Sequence, residues 1–318
     1  VEKHGDERRS YIDPMPLSMD REDLIEERAI AITLSEDNYI RHLPVESFRV
    51  QNRGGKGLKG VATKAEDTPQ LIITCFSKDR LLIFTDQGRV YGLKAWETPL
   101  GSRHSRGGHI RNLLESLRDD ENIVTILPIS RELLESPEGN YLLFATKLGL
   151  IKKTRLEEYV RINRNGKYAL RFKLDGDSLV NVRCGNDDSD IVMISSTGFA
   201  SRFACQKIRA SGRVSAGVYG IKTGNRKGAD GGHVVGMIAT DNTETQILTI
   251  TKNGMAKRSR LGTAEKIPDL DSDGVQKVDS ETGELKLRTD GYRKTNPGAK
   301  GAFTMNIDHE ENDEIISA

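Results

Sequence analysis

The feature that most constrains this 318-residue chain is an internal repeat with a period of 49 to 61 residues. Each copy has an apolar, β-branched run, a Ser or Thr, a short turn and a second, alternating run, which is typical of a β-hairpin. The five copies are AITLSEDNYIRHL (31–43), LLIFTDQGRVYGL (81–93), LLFATKLGLIKKT (142–154), VMISSTGFASRF (192–203) and LTITKNGMAKRS (248–259). Their turn residues are Asn38, Gly88, Gly149, Gly198 and Gly254, types that tolerate a positive φ angle.

A second element follows each hairpin at a similar distance. It is a loop rich in Gly, Arg and Lys that leads into another apolar run, and small residues there let the backbone approach a phosphate closely. The five copies are QNRGGKGLKGV (51–61), SRHSRGGHIRNLL (102–114), NRNGKYALRFK (163–173), SGRVSAGVYGIK (211–222) and NPGAKGAFTMN (296–306).

A period near 50 residues with about four strands in each unit predicts an all-β, propeller-like array of blades. Helical patterns are weak, and the segments 21–28, 111–118 and 131–136 fit short helices or loops. The fifth repeat carries an acidic insertion near 263–293, which we expect to form a protruding hairpin or a mobile loop.

The net charge of +1 conceals a strong asymmetry along the chain. Residues 1–37 and 265–318 each carry a net charge of −6, whereas residues 38–264 carry +13. A basic body with acidic ends is typical of a chain that binds a polyanion, although charge runs also occur on plain solvated surfaces.

Basic residues recur just after the hairpin turns, beginning with Arg41, and again in the Gly-rich loops. If the hairpins are equivalent, these side chains form a track that binds DNA through its backbone and shape, since aromatic residues are few. The candidate DNA-contact residues are Arg103, Arg106, Arg111, Lys152, Lys153, Arg164, Lys167, Arg202, Arg209, Arg213, Lys257 and Arg258.

Nothing in the sequence indicates catalysis or a bound cofactor. The cysteines, Cys75, Cys184 and Cys205, are odd in number and far apart, which favours reduced thiols in a cytoplasmic protein over a zinc site. The polar stretch 186–190 fits a turn better than a cation site, and no phosphate-binding GxxxxGK[ST] motif is present. No apolar stretch approaches the roughly 20 residues of a membrane-spanning helix, and the charged first ten residues do not resemble a signal peptide.

One Gly-rich loop resembles a family motif. The residues Gln51, Asn52, Arg53, Gly54, Gly55, Lys56 and Gly57 match the gyrase box, Gln-Arg-Arg-Gly-Gly-Lys-Gly, at six of seven positions, and Asn52 leaves one positive charge missing. The segments ITLSEDNYIRHLPVESF and IFTDQGRVYGLKAWETP are similar to the first two repeats of the same family, and KHGDERRSYI is similar to the stretch leading out of its catalytic core. The chain therefore resembles the C-terminal DNA-wrapping domain of DNA gyrase A, a type IIA topoisomerase component.

The resemblance implies a β-pinwheel in which neighbouring repeats exchange strands, with an acidic leader at 1–28 and the pinwheel at 29–318. Five complete repeats are visible, and residues 312–318 resemble the start of a truncated sixth. In the family the box loop lies between the first and last blades and DNA follows the outer edge. Gln51, Arg53, Gly54, Gly55, Lys56 and Gly57 are thereby implied to contact DNA.

The function implied is the bending of duplex DNA around a basic rim, which supports negative supercoiling. The partners implied are DNA, the other gyrase A domains and gyrase B in an A2B2 assembly, while ATP and Mg²⁺ bind elsewhere in that enzyme. Two alternatives stay open: a topoisomerase IV-type DNA-binding domain, whose box is usually eroded, and a propeller that serves as a protein-interaction platform.

Overall fold

The computed structural model describes residues 21–48, 67–102, 105–223, 231–272, 274–279, 282–307 and 313–317. Within them the chain is almost entirely β-structure. In chain order the strands are β1 (Ala29–Ser35), β2 (Tyr39–Pro44), β3 (Pro69–Phe76), β4 (Arg80–Thr85), β5 (Arg89–Lys94), β6 (Gly108–His109), β7 (Ile123–Ile129), β8 (Asn140–Thr146), β9 (Leu150–Arg155), β10 (Lys167–Tyr168), β11 (Leu179–Asn186), β12 (Asp190–Ser195), β13 (Phe199–Ala204), β14 (Val218–Tyr219), β15 (Val234–Thr240), β16 (Gln246–Thr251), β17 (Ala256–Arg260), β18 (Lys266–Pro268), β19 (Leu287–Thr289), β20 (Ala302–Phe303) and β21 (Ile315–Ser317).

The five predicted hairpins are the centres of five antiparallel blades. The strand orders are β3-β1-β2-β6, β7-β4-β5-β10, β11-β8-β9-β14, β15-β12-β13-β20 and β21-β16-β17. The five turn residues, from Asn38 (φ 63°) to Gly254 (φ 86°), all have the positive φ expected. The all-β pinwheel with five repeats is thus confirmed, and the fifth blade has three strands among the described residues.

Neighbouring repeats exchange strands. The first strand of each order, which we call the inner strand, contacts the inner strand of the next blade, from β3 through β7, β11 and β15 to β21. The last strand, which we call the outer strand, has only two residues and lies in the sequence after the hairpin of the following blade. The Gly-rich loops predicted at 102–114, 163–173, 211–222 and 296–306 each contain one of these outer strands.

The cores lie between blades, which explains the continuous apolar runs of the hairpins. Alternate residues of a strand point to opposite faces. Leu81 and Ile83 therefore pack in one cluster with the first blade, while Leu82 and Phe84 pack in another with the third. The strand β16 of the fifth blade instead alternates between buried and exposed residues, and Leu248 on its second face is 51% exposed.

Short helical turns occur at the three segments where the sequence allowed them. Arg21–Leu24 and Ile110–Asn112 are 3-10 turns and Arg131–Glu135 is an α-helix, which we call α1. Further 3-10 turns follow the hairpins at Val45–Ser47, Ala95–Glu97, Leu156–Tyr159 and Cys205–Lys207. No helix of the described residues is long and apolar enough to cross a membrane.

Two further predictions concern segments at the end of the chain. The described part of the insertion forms the hairpin β18–β19, extended by bridges between Leu270 and Gln276 and between Val278 and Leu285. We call residues 269–286 the acidic arm. The strand β21 pairs with β16 as the inner strand of the fifth blade, and in the other blades such a strand runs on into the next hairpin.

Candidate nucleic-acid interface

The outer edge of the array carries most of the predicted cations that remain exposed or half-buried. Arg106 precedes β6, Arg164 and Lys167 lie at β10, and Arg209 and Arg213 precede β14. Consecutive blades therefore present positive charge at corresponding places, as expected of a track. Arg111 lies just beyond β6 and is half-exposed.

The loops that carry these cations are held against the hairpins by backbone pairing. Isolated parallel bridges join His42 to Leu100, Lys153 to Ala210 and Arg202 to Lys294, always at the fourth residue after the hairpin turn. Since the anchor recurs at the same position, each loop leaves its hairpin at the same point. The loop cations thereby receive equivalent positions from one blade to the next.

Several of these cations have carboxylate partners from the same chain. Arg106 lies 2.9 Å from Asp37, and Arg111 and Arg164 pair with Asp119 and Glu97. Arg213 donates from its side chain to the backbone carbonyl of Glu158 at 3.1 Å. Exposed ion pairs contribute only about 0 to 1 kcal/mol, so a phosphate group can replace these carboxylates at small cost.

The predicted positions of Lys152, Lys153 and Arg202 on an exposed rim were wrong. All three side chains are buried, with exposures of 1%, 3% and 1%. Lys153 pairs with Asp187, and Arg202 donates to Asp190 at 2.6 Å. In this fold they are packing residues, and we remove them from the candidate interface.

The buried cations satisfy backbone carbonyls near the exchanged strands. Because an outer strand has only two residues, the loop carbonyls beside it lack ladder partners, and buried carbonyls need donors. Side chains at the third residue after the turn provide them: Arg41 donates to Ser102 O at 2.8 Å, Lys152 to Ala169 O at 2.7 Å and Lys257 to Thr304 O at 2.9 Å. Burial lowers the pKa of Lys152 to about 7.

The fifth blade departs from this pattern. Lys257 and Arg258 are exposed as predicted, since β17 has no outer strand beside it among the described residues. Lys257 still reaches back to the carbonyl that follows β20, the outer strand of the fourth blade. The fifth blade therefore offers its cations on a hairpin strand, whereas the earlier blades offer theirs on loops.

Some predicted contacts lie outside the described residues. These are the box residues Gln51, Arg53, Gly54, Gly55, Lys56 and Gly57, together with Arg103. Their assignment to DNA stays a prediction.

Four exposed or half-buried cations of the fourth blade's outer region were missed. Lys207, Arg293, Lys294 and Lys300 lie on or beside the loop that carries β20. Lys207 donates to Asn296 at 2.8 Å, and Lys294 lies 3.0 Å from Asp190. The available signal was their closeness to the repeated 296–306 loop, which marks the outer strand.

The structure adds no sign of a reactive or metal-binding group. Burial raises the pKa of all three thiols, that of Cys75 to about 12, so they are protonated near neutral pH. Across the described ranges, His, Cys, Asp and Glu side chains do not gather into a group of three or more that suits a metal ion.

A family comparison matches the repeats one by one. The family model described as DNA gyrase C-terminal domain, beta-propeller, matches residues 30–68, 79–130, 140–186, 189–241 and 245–270. The chain belongs to the DNA gyrase C-terminal domain family. Every matched segment contains one hairpin of the pinwheel, so the family repeat and the hairpin repeat coincide.

Full-length relatives carry the gyrase name. This gyrase-family chain is 43% identical to DNA gyrase A of Staphylococcus epidermidis and 41% identical to that of Staphylococcus aureus, over 260 residues in each case. The match covers 81% of this chain and 28% of each relative, so the chain spans less than a third of the length of these proteins.

Solved structures support the fold. A DNA gyrase A C-terminal domain aligns over 91% of this chain and 98% of its own, with a TM-score of 0.59 and 21% identity. A topoisomerase IV C-terminal domain aligns over 92% and 93%, with a TM-score of 0.58 and 23% identity. At such identities these likenesses concern the fold alone, and the two structures fit about equally well.

Proposed function

We propose that this chain binds duplex DNA along the outer edge of its blades and bends it, supporting negative supercoiling by DNA gyrase. The observation that carries the proposal is the recurrence of accessible Arg and Lys on the outer segments of consecutive blades. Membership of the gyrase C-terminal domain family supports the same conclusion.

The electrostatics of duplex DNA explain why a series of cations is useful. Each Lys or Arg that neutralises a phosphate releases condensed counterions, and this release drives binding. Smooth bending of a 20 to 30 bp site costs of order 1 to 6 kcal/mol. Contacts distributed over several blades along a curved edge offset that cost, whereas a single patch binds DNA without bending it.

The remaining parts of the proposal concern the longer protein. We expect the other gyrase A domains and gyrase B to complete an A2B2 assembly in the cytoplasm. DNA cleavage and ATP hydrolysis with Mg²⁺ then take place outside this chain. Wrapping by this chain presents one duplex segment to the cleavage site with a fixed crossing sense.

A salt titration with a matched pair of variants tests DNA binding. The logarithm of the binding constant should fall linearly with the logarithm of salt concentration, by about 0.9 per phosphate neutralised. If Arg106, Arg111, Arg164, Lys167, Arg209, Arg213, Lys257 and Arg258 each neutralise one phosphate, the slope is about −7.

In the same titration Arg209→Ala should lower the magnitude of the slope by about 0.9. Arg131→Ala is the control, because Arg131 is an exposed cation on α1, away from the outer segments. Equal slopes for both variants would count against the outer edge. Absence of salt-dependent DNA affinity in the unmodified chain would favour the protein-interaction platform.

Bending with a fixed sense is tested by closing nicked circles with ligase in the presence of the chain. We expect the linking number to shift in proportion to bound protein. An unchanged linking number at saturation would contradict wrapping.

A topoisomerase IV-type role is the second candidate, because a topoisomerase IV C-terminal domain shares this fold. The near-complete box motif and the 43% identity to a DNA gyrase A chain favour gyrase. Alanine replacement of residues 51–57 in the complete enzyme distinguishes the two. Loss of supercoiling with retained relaxation and decatenation indicates gyrase.

A further inference from the structure

The outer strands share a short pattern that the cation track does not use. Each outer strand ends on an aromatic residue or histidine, and a glycine lies two residues before it. The ring opposes the first residue of the hairpin's second strand in all four blades: Tyr39 opposes His109, Arg89 opposes Tyr168, Leu150 opposes Tyr219 and Phe199 opposes Phe303. One ring per blade therefore occupies the same place on the edge.

The glycines show how tightly that place is specified. A Cβ atom on Gly107, Gly217 or Gly301 would lie 2.1 to 2.4 Å from a carbonyl oxygen of the hairpin's second strand, and one on Gly166 would lie 2.5 Å from the Tyr91 ring. Such distances are far inside van der Waals contact, so only glycine lets the outer strand approach. The ring two residues later is fixed by that approach.

These rings are too exposed to be core residues. Tyr168, Tyr219 and Phe303 are 52%, 51% and 47% exposed, although aromatic side chains usually bury most of their area. His109 is half-buried and packs edge-on against Tyr39, with ring centroids 5.3 Å apart. The edge thus carries an apolar surface at regular intervals.

Cations accompany the rings on the same edge. The Arg106 guanidinium lies 3.6 Å from the centroid of the Tyr39 ring, and the Lys300 ammonium group lies 4.8 Å from that of Phe199. Arg106 and Lys300 both directly precede the glycine of the pattern. An edge that pairs apolar rings with positive charge complements a partner that alternates apolar and anionic groups.

We propose that His109, Tyr168, Tyr219 and Phe303 form a second track, which packs against the deoxyribose rings of duplex DNA between the phosphates that the cations neutralise. This inference rests on the proposed function and adds a chemical contact to it. Sugars present apolar C–H groups on the walls of the minor groove, where apolar side chains commonly contact bent DNA. Such contacts release no counterions, so they add affinity that does not depend on salt.

The test is the combined variant Tyr168→Ala, Tyr219→Ala, Phe303→Ala in the full chain. Because buried apolar area is lost but no charge is, we expect the Kd for a long duplex to rise about ten-fold at every salt concentration with an unchanged salt slope. Tyr168→Phe with Tyr219→Phe should retain the affinity, since the ring and not the hydroxyl makes the contact.

The matched control is Leu270→Ala, Val278→Ala, Leu285→Ala, which removes similarly exposed apolar groups from the acidic arm. Wild-type affinity in the ring variant would overturn the second track and leave the proposed function standing. A reduced salt slope would also overturn it, since the rings would then only position cations. If the unmodified chain binds no DNA, both proposals fail.

A photochemical probe keeps the test valid even if the ring variant folds poorly. Benzophenone abstracts hydrogen from nearby C–H groups, so p-benzoylphenylalanine in place of Tyr219 should form a covalent adduct with duplex DNA under ultraviolet light. The same probe in place of Leu285 should form none. Equal yields from the two positions would contradict the proposal.

Discussion

The Lys152 ammonium group donates a hydrogen bond of 2.7 Å to the carbonyl oxygen of Ala169, the residue that follows the outer strand of the second blade. It also donates to the carbonyl of Arg213, in the loop that supplies the outer strand of its own blade. One buried side chain thus joins two blades at the point where strands are exchanged.

The first prediction concerns the pH dependence of stability. The pKa of Lys152 is lowered by burial to about 7 in the folded chain, from 10.5 in its reference state. Above pH 7 the unfolded chain therefore binds more protons at this site, so the site's contribution to stability rises with pH until about pH 10.

Lys152→Met lacks this titration. The free energy of unfolding of the wild type minus that of Lys152→Met should increase from pH 7 to pH 9, by at most about 1.4 kcal/mol per pH unit. Urea unfolding of both chains at pH 6, 7, 8 and 9 measures it. Parallel pH profiles would show that Lys152 titrates normally in the folded chain.

The second prediction compares two glycines of one loop. A Cβ on Gly217 would lie 2.4 Å from the carbonyl oxygen of Ile151, while one on Gly212 meets nothing within 4 Å. Gly217→Ala should therefore destabilise the chain by about 1 to 3 kcal/mol through overpacking. Gly212→Ala should be neutral or stabilising by up to about 1 kcal/mol, because it restricts the unfolded chain.

Thermal or denaturant unfolding of the two variants gives the comparison directly. Both changes add one methyl group to the same loop, so general effects of alanine cancel. Equal stabilities would mean that the outer strand β14 does not press on β9 as described.

The third prediction concerns an ion pair on the outer edge. Asp37 holds Arg106 at 2.9 Å, and 55% of the Asp37 side chain is exposed. Asp37→Asn removes the competing carboxylate, so DNA affinity at low salt should increase by a few-fold, within the roughly 1 kcal/mol that exposed pairs contribute.

Glu135→Gln is the control for this variant, because it releases Arg131 on α1 in the same way. Fluorescence anisotropy with a labelled duplex measures both. A decrease in affinity for Asp37→Asn would imply that the aspartate positions Arg106 for binding.

The fourth prediction concerns the acidic arm. Residues 269–286 carry six Asp and Glu and two Lys, a net charge of −4. If the arm competes with DNA for the basic edge, its removal should tighten binding at low salt and have little effect at high salt, where charges are screened.

Deletion of 269–286 can leave the pinwheel intact. Pro268 and Leu287 are paired across β18–β19, so a two-residue Asn-Gly turn should join them. Removing all of 263–293 would be too much, because Tyr292 is buried and its carbonyl accepts from Arg202. Unchanged low-salt affinity in the shorter deletion would exclude competition by the arm.

Local chemistry made much of the fold predictable from sequence. Turn residues such as Gly149 marked the hairpins, and their period marked the blades. The Gly-rich loops were recognised as repeated elements, but the two-residue strands in them have no periodicity that a sequence can show. Strand exchange entered only through the family resemblance, because it depends on pairing between distant segments.

Side-chain direction was the part of the site that sequence could not provide. Lys152 and Lys153 are neighbours in β9 and point to opposite faces, so in a sheet with one wet face one of them would be exposed. Adjacent blades cover both faces of β9, and both lysines are buried. Loop residues such as Arg209 escape this constraint, because only their backbone is anchored.

The exchange of outer strands also determines how the array bears load. A bound duplex that pulls on β10 pulls on chain that continues directly from the third hairpin, β8–β9, although β10 belongs to the second blade. Tension at one edge is therefore transmitted covalently into the neighbouring unit. Peeling a single blade away requires opening the next one as well, which makes mechanical strength a property of the interlocked series.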